Sequence, residues 1–247
     1  MHKHLITLLL IFFSSTAYAE SLSGVEILER IDKNYDAKSR ISTATMVIKG
    51  RRGSRTITSK SWAQGTDKAF TKYLSPPREK DTKMLKLGDE LWIWSPSADR
   101  TIKIAGHMLR QSLMGSDVSY EDFMEDPQLK NSYDVVVTGE DKVSDRDCYV
   151  LQLTAKKDVS VSYHKRKIWV DKERYLPLQQ ELFAKSGKIL KRFTINETIK
   201  VDKRWYPKRM TFKDVLKKGE GTAIVLDSLQ FDVDIPAHVF SKASLRK

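Results

Sequence analysis

The 247-residue chain has one cysteine, Cys148. An internal disulfide is therefore excluded, and a chain of this size must be held by its buried core. Beyond the first twenty residues no apolar run is long enough to span a bilayer, so a soluble mature chain is expected. Histidine is scarce as well. The three outside the N-terminal stretch, His107, His164 and His238, lie far apart and lack metal-ligand spacings such as HExxH. A GxSxG elbow, a glycine-rich phosphate loop and a zinc-type Cys/His pair are all missing. No metal and no cofactor are expected, and no low-complexity linker divides the chain.

What is present begins with an export signal. Lys3 and two histidines precede the apolar run LITLLLIFF, and Ala17-Tyr18-Ala19 forms a cleavage site before Glu20. Cleavage after Ala19 leaves residues 20–247 as one expected domain in a bacterial periplasm. With no cysteine near that site, no lipid anchor is expected. The formal charge is +12, from 44 basic and 32 acidic residues. A basic exported protein suits anionic headgroups or an acidic partner. Its cations are scattered through strands and match no recognition motif, so nucleic acid is not expected as a partner. The groups His164–Lys167 and Lys200–Arg204 read as solvated strand faces.

Ser23 and Glu26 form a capping-box pattern opening a helix over about 24–37, with Val25, Leu28, Ile31 and Tyr35 at helical spacing. From Ile41 onward the period is two. Roughly ten to twelve sequential strands, separated by short turns, predict an antiparallel meander, mainly β with some α. In the strand 91–94, Leu91 and Ile93 face one side and Trp92 and Trp94 the other. Such a strand is covered on both faces or lines a cavity on one.

One stretch breaks the alternation. After Thr101–Ile104 comes HMLRQSLM, then Gly115-Ser116-Asp117, then a second helical signal. Ser119 and Asp122 have capping-box spacing, Glu121 and Asp122 suit the positive end of the helix dipole, and Pro127 closes the element. Two short amphipathic helices inserted at about 105–127 are expected, a lid over the sheet. Asp117 and Glu121 are four apart and could act as paired carboxylates, but capping explains acids at a helix start without catalysis. A hydrolase is thus the weakest reading. Cys148, opposite in phase to Tyr149, Leu151 and Leu153, reads as a structural thiol. Met108, Leu109, Leu113, Met114, Phe123 and Met124 make a flexible apolar surface suited to ligand contact or to gluing a lid down.

The run SLMGSDVSYEDF, preceded by LWIWSPSADRTIKI and YLSPPREKDTKML, resembles the outer-membrane lipoprotein-sorting family of the LolA/LolB-like carrier superfamily. Its most specific part, Met114 to Asp122, includes Gly115, Ser116, Asp117, Ser119, Tyr120, Glu121 and Asp122. The resemblance implies a single curved antiparallel sheet forming an incomplete β-barrel, with helices over its concave face and an acyl-binding cavity between. It also implies a periplasmic carrier paired with an inner-membrane transporter of the RND/MMPL type. Another implication is an interior arginine bonded to lid backbone, for which Arg100 and Arg110 are the nearest in sequence. Met84, Trp92 and Trp94 are expected to line the cavity from the sheet. Leu109, Leu113, Met114, Phe123 and Met124 are expected to line it from the lid. Exposing a sixteen-carbon chain to water costs on the order of 12 kcal/mol, so a carrier has a physical role without any covalent step. The alternative reading is a periplasmic lipid-sensing adaptor that regulates a membrane partner.

Overall fold

Ser23 opens the first helix, α1 (Gly24–Tyr35), with a complete capping box. Its hydroxyl accepts from the Glu26 amide at 3.3 Å, and the Glu26 carboxylate accepts from the Ser23 amide at 2.8 Å. The buried stripe Ile27, Leu28 and Ile31 packs on Tyr133, Leu151, Leu153, Ile168 and Val170. Each such side chain contributes about 1.5–3 kcal/mol relative to exposure. The computed structural model describes residues 22–50 and 53–246. The expected signal peptide and its cleavage site lie outside the described residues.

Among the described residues thirteen strands follow, against the ten to twelve expected. The first meander is β1 (Ser39–Gly50), β2 (Gly53–Gln64), β3 (Lys68–Ser75), β4 (Lys83–Leu87), β5 (Glu90–Ser95) and β6 (Arg100–Ile104). The second is β7 (Tyr133–Val143), β8 (Arg146–Ala155), β9 (Lys165–Asp171), β10 (Pro177–Phe183), β11 (Ile189–Val201), β12 (Arg204–Asp214) and β13 (Thr222–Phe231). Within each meander neighbours in sequence are neighbours in space. The antiparallel pairing of β1 with β13 joins the two into one sheet. β6 and β7 are left as the two edges, so the sheet curves without closing.

This order fixes the position of the lid. Residues 105–132 connect one edge strand to the other and must cross a face of the sheet to do so. Within them α2 (Tyr120–Met124) is a true helix, capped by Ser119 and Asp122 as expected. HMLRQSLM is not a helix. Gly106–Arg110 and Leu113–Gly115 are separate 3₁₀ turns, with extended backbone at Gln111 and Ser112. Ser112 bridges to Ser119, and the Leu113 amide donates to the Val118 carbonyl at 2.8 Å. Those bonds close a compact loop where a helix would need to propagate. Two further 3₁₀ turns, Ala237–Phe240 and Lys242–Leu245, cover the opposite face of the sheet near β3–β5.

Candidate functional site

Cross-strand partners share a face, so the pairing register sorts the side chains. Met46 pairs with Ile57 and with Ile224, and Met84 pairs with Ile93. These belong to the concave side, where they join Tyr73 and Phe212 beneath the lid. From the lid come Leu113 and Val118, both buried, with Met114, Tyr120 and Phe123 half-buried. The structure thus brings together Met84, Leu113, Met114 and Phe123. Leu109 and Met124 lie beside this cluster, lining a cleft of about 700 Å³ with Arg110, Glu121, Tyr133, Val161 and Leu190.

Trp92 and Trp94 are not with them. Trp92 pairs with Leu85, and Leu85 with Phe70, on the convex side. There the tryptophans meet Ile235, Phe240 and Leu245 of the C-terminal turns, with Lys242 over the Trp92 ring at 4.0 Å. The expectation that they share a cavity with Met84 is corrected: strand alternation puts position 92 opposite 93, and 93 is the partner of Met84. Strand β5 is apolar on both faces because each face has its own cover.

The lid is held from below by cations. Arg55 Nη2 donates to the Met114 carbonyl, Lys86 Nζ to the Met124 carbonyl at 3.3 Å, and Lys217 Nζ to the Ser116 carbonyl at 2.6 Å. Lys191 Nζ donates to Ser119 Oγ at 3.0 Å and pairs with Asp122, while Arg166 pairs with Glu125. Carbonyls ending short helical turns have no internal donor, so these side chains satisfy groups that the local backbone cannot. Met114 and Gly115 both sit at positive φ, 50° and 75°, which turns the Met114 carbonyl toward Arg55. A Cβ at Gly115 would lie 3.1 Å from the Arg55 guanidinium. Glycine is the residue that tolerates both constraints.

Arg100 and Arg110, the arginines nearest the lid in sequence, are exposed; the guanidinium that reaches lid backbone belongs to Arg55, 59 residues before Met114. Arg166 likewise is only 3% exposed, so His164–Lys167 is not simply a solvated face. One signal for these residues was present in the sequence. Arg55 is in phase with Ile57, Lys86 with Met84, Arg166 with Ile168 and Lys191 with Phe193. A cation two residues from a buried apolar position shares its face.

The acids have structural partners. Asp117 accepts from the Asp214 amide at 3.0 Å and from Thr222 Oγ1 at 2.9 Å, anchoring the MGSD loop to β12 and β13. Burial pushes the Asp122 carboxyl up, but Lys191 and bonds from Ser119 and Tyr163 outweigh it and hold it below the usual carboxylate range. Glu121 is raised, by burial first and then by neighbouring Asp122. No group of three or more His, Cys, Asp or Glu able to hold a metal is found among the described residues. Between α1, the lid and the sheet lies a cavity of about 270 Å³. Leu28, Ile31, Tyr35, Leu129, Ile168 and Phe193 form its apolar lining, with Arg166, Gln180, Asp122 and Glu125 among its polar groups.

An open antiparallel half-barrel with an apolar concave side under a two-ended lid defines a class, the LolA/LolB-like fold. A family model described as "uncharacterized protein" matches residues 65–247, and the chain belongs to that family. A DUF1329-family protein of Desulfovibrio piger superimposes with a TM-score of 0.82 at 25% identity, over 90% of this chain and 97% of that one. A Vibrio parahaemolyticus domain, provisionally described as an outer-membrane lipoprotein-sorting protein, gives 0.79 at 23%, over 91% and 98%. A LolA superfamily protein of Nitrosomonas europaea gives 0.75 at 23%, over 91% and 100%. The sigma-E factor regulatory protein RseB of Salmonella typhimurium is 23% identical over 185 residues, 75% of this chain. The chain spans about half the length of that curated relative, 54%. No helix among the described residues is long and apolar enough to cross a membrane.

Proposed function

We propose that this protein is a periplasmic carrier that holds an acyl chain between the concave face and the lid. The observation that carries the reading is the lid itself, whose contacts divide into two kinds. Its apolar side chains are interchangeable with a lipid tail. Its polar attachments are hydrogen bonds and ion pairs that water can replace at modest net cost. The cavity of about 270 Å³ is just below the range of ordinary ligand sites. Displacing Leu113, Met114 and Phe123 from Met84, Met46 and Tyr73 enlarges it at the expense of contacts that an acyl chain then replaces. The cargo is a lipid or an acylated lipoprotein moved from the inner toward the outer membrane, with an inner-membrane transporter of the RND/MMPL type as a partner. The basic surface supports transient contact with anionic headgroups. The exported chain is taken to be soluble and without a lipid anchor, and catalysis forms no part of the reading.

Native mass spectrometry of protein purified without detergent tests this: co-purifying lipid is expected. Reproducibly unliganded protein that takes up no lipid from vesicles would overturn it. A second reading has its own support in the match to RseB, a regulatory protein. A lipid-sensing adaptor would keep a membrane partner bound and change its affinity on ligand binding, whereas a carrier delivers cargo to acceptor vesicles.

A further inference from the structure

Arg166 is an expensive residue for an apolar cavity to hold. It is 3% exposed, lies on the concave face in phase with Ile168 and Val170, and lines the cavity between α1 and the lid. Its guanidinium is stacked 5.0 Å from the Tyr133 ring centroid and 5.4 Å from that of Tyr163. Nη2 is taken by Glu125, but Nε is buried and has no hydrogen-bond partner among the described residues. A buried N–H of a charged group left without an acceptor is costly, and such groups in native structures call for an explanation. Burial pulls the Arg166 pKa down to about 10.

The surroundings decide what kind of acceptor fits. Asp32, Asp122, Glu125 and Asp126 also line the cavity. Asp122 and Glu125 are each paired with one cation, Lys191 and Arg166, whereas Asp32 and Asp126 make no ion pair among the described residues and repel one another, though Lys130 offsets part of the Asp32 charge, so a further anion would meet net negative charge. A carboxylate or phosphate brought to Arg166 would compete with Glu125 for the same charge. A neutral carbonyl oxygen accepts the Nε hydrogen without adding negative charge. We infer that Arg166 forms a binding subsite for the ester or amide carbonyl of an acyl group, with the hydrocarbon chain lying along Leu28, Ile31, Ile168 and Phe193. This rests on the carrier reading and deepens it. The ligand recognised is a neutral acyl ester or amide, as in acylated glycerol or an acylated protein terminus, and not a free fatty acid anion.

The test compares three probes of similar chain length with the full chain: methyl palmitate, hexadecyl methyl ether and palmitate at pH 8. Uptake of each is measured from neutral phosphatidylcholine vesicles. The ester is expected to bind about tenfold or more tighter than the ether, which lacks the carbonyl, and tighter than the anion. In Arg166→Lys the ester–ether ratio is expected to fall toward one, since an ammonium does not reproduce the Nε geometry. Because the first comparison needs no variant, misfolding of Arg166→Lys does not remove the test. Equal uptake of ester and ether, or palmitate binding tightest, overturns the carbonyl subsite while leaving a carrier. No uptake of any probe overturns both.

Discussion

Replacing Lys191 by methionine should loosen the lid without unfolding the sheet. Lys191 and Asp122 side chains are each about 10% exposed, and their pair joins β11 to the first turn of α2. Removing the cation leaves the Asp122 carboxylate buried with only the Ser119 amide at 2.7 Å, the Ser119 hydroxyl at 2.8 Å and Tyr163 as donors. Breaking one side of such a pair costs about 3–5 kcal/mol. In the lid-opening equilibrium that is a factor of at least about 100. Hydrogen exchange of the Asp117 amide, which donates to Thr222 Oγ1 of β13 at 2.9 Å and is freed when the lid lifts, should accelerate by that factor relative to its intrinsic rate, while amides of β8 and β9 stay protected. Lys191→Met combined with Asp122→Asn should recover most of the loss, because no charge is then stranded. The pH dependence has a definite sign. Asp122 is depressed in the folded state, so its stabilisation is present above the unfolded value of about 3.9 and lost as pH falls through the lower folded value. Glu121 is raised by burial, so protonating it relieves a cost, and it does not weaken the lid on mild acidification. The wild-type lid should therefore remain protected at pH 5 and loosen only in stronger acid. Unchanged lid exchange in Lys191→Met, or wild-type opening between pH 7 and 5, would refute this account.

Three other outcomes follow from single positions. Leu113→Glu places a charge among Met46, Ile57, Tyr73 and Met84, so lipid uptake should be abolished while the far-ultraviolet signal of the sheet persists; normal uptake would mean the lid face is misassigned. Trp92→Ala, on the convex side, should cost about 3–5 kcal/mol in denaturant unfolding yet leave the ester–ether ratio unchanged in the folded fraction. Burial pushes the Cys148 thiol up to about 11, so a thiol reagent at pH 8 should label it at the rate of unfolding, and prompt labelling of native protein would contradict its burial.

The fold was legible because its signals are local. Period-two alternation, the Ser23/Glu26 and Ser119/Asp122 caps, and the hairpin around Lys172–Tyr175 each depend on residues within a few positions. The site depends on register, which no local window contains. Met84 and the tryptophans of β5 are close in sequence, yet one position of phase sends them to opposite faces. The cations were harder still. Arg55 acts on Met114 across 59 residues and Lys191 on Asp122 across 69, and the distances follow from a sheet whose edges are joined by the lid. A charged residue in phase with a buried one looks like a defect in the pattern until the covering segment supplies its partner. The 3₁₀ turns of HMLRQSLM were hidden for a related reason: the Ser112–Ser119 bridge that shapes them is tertiary in effect though short in span.

Whether the lid opens as one body or in parts is decided by how its pieces are tied together. Arg55 holds the turn at Met114, and Lys86 holds the end of α2 at Met124, so the two cations grip different pieces. The pieces are themselves bonded: Leu113 N to Val118 O at 2.8 Å, Tyr120 N to Gln111 O at 3.1 Å, and Ser116 Oγ with Val118. Opening one piece alone strands these backbone groups, at about 1–3 kcal/mol for each left without water or a partner. Opening all of them together keeps the internal bonds and breaks only the sheet contacts. The lid should therefore move as a unit between its anchors at β6 and β7. Arg55→Met and Lys86→Met each remove a charge-assisted bond worth about 1.5–3 kcal/mol. In a unitary lid either change raises the rate of thiol labelling at Leu113→Cys and at Phe123→Cys, both on the face packed against the sheet, by a common factor, and the double variant multiplies the two factors. If Arg55→Met affected only labelling at position 113 and Lys86→Met only that at position 123, the lid would be two independent flaps. Cargo entry would then need only one of them to lift.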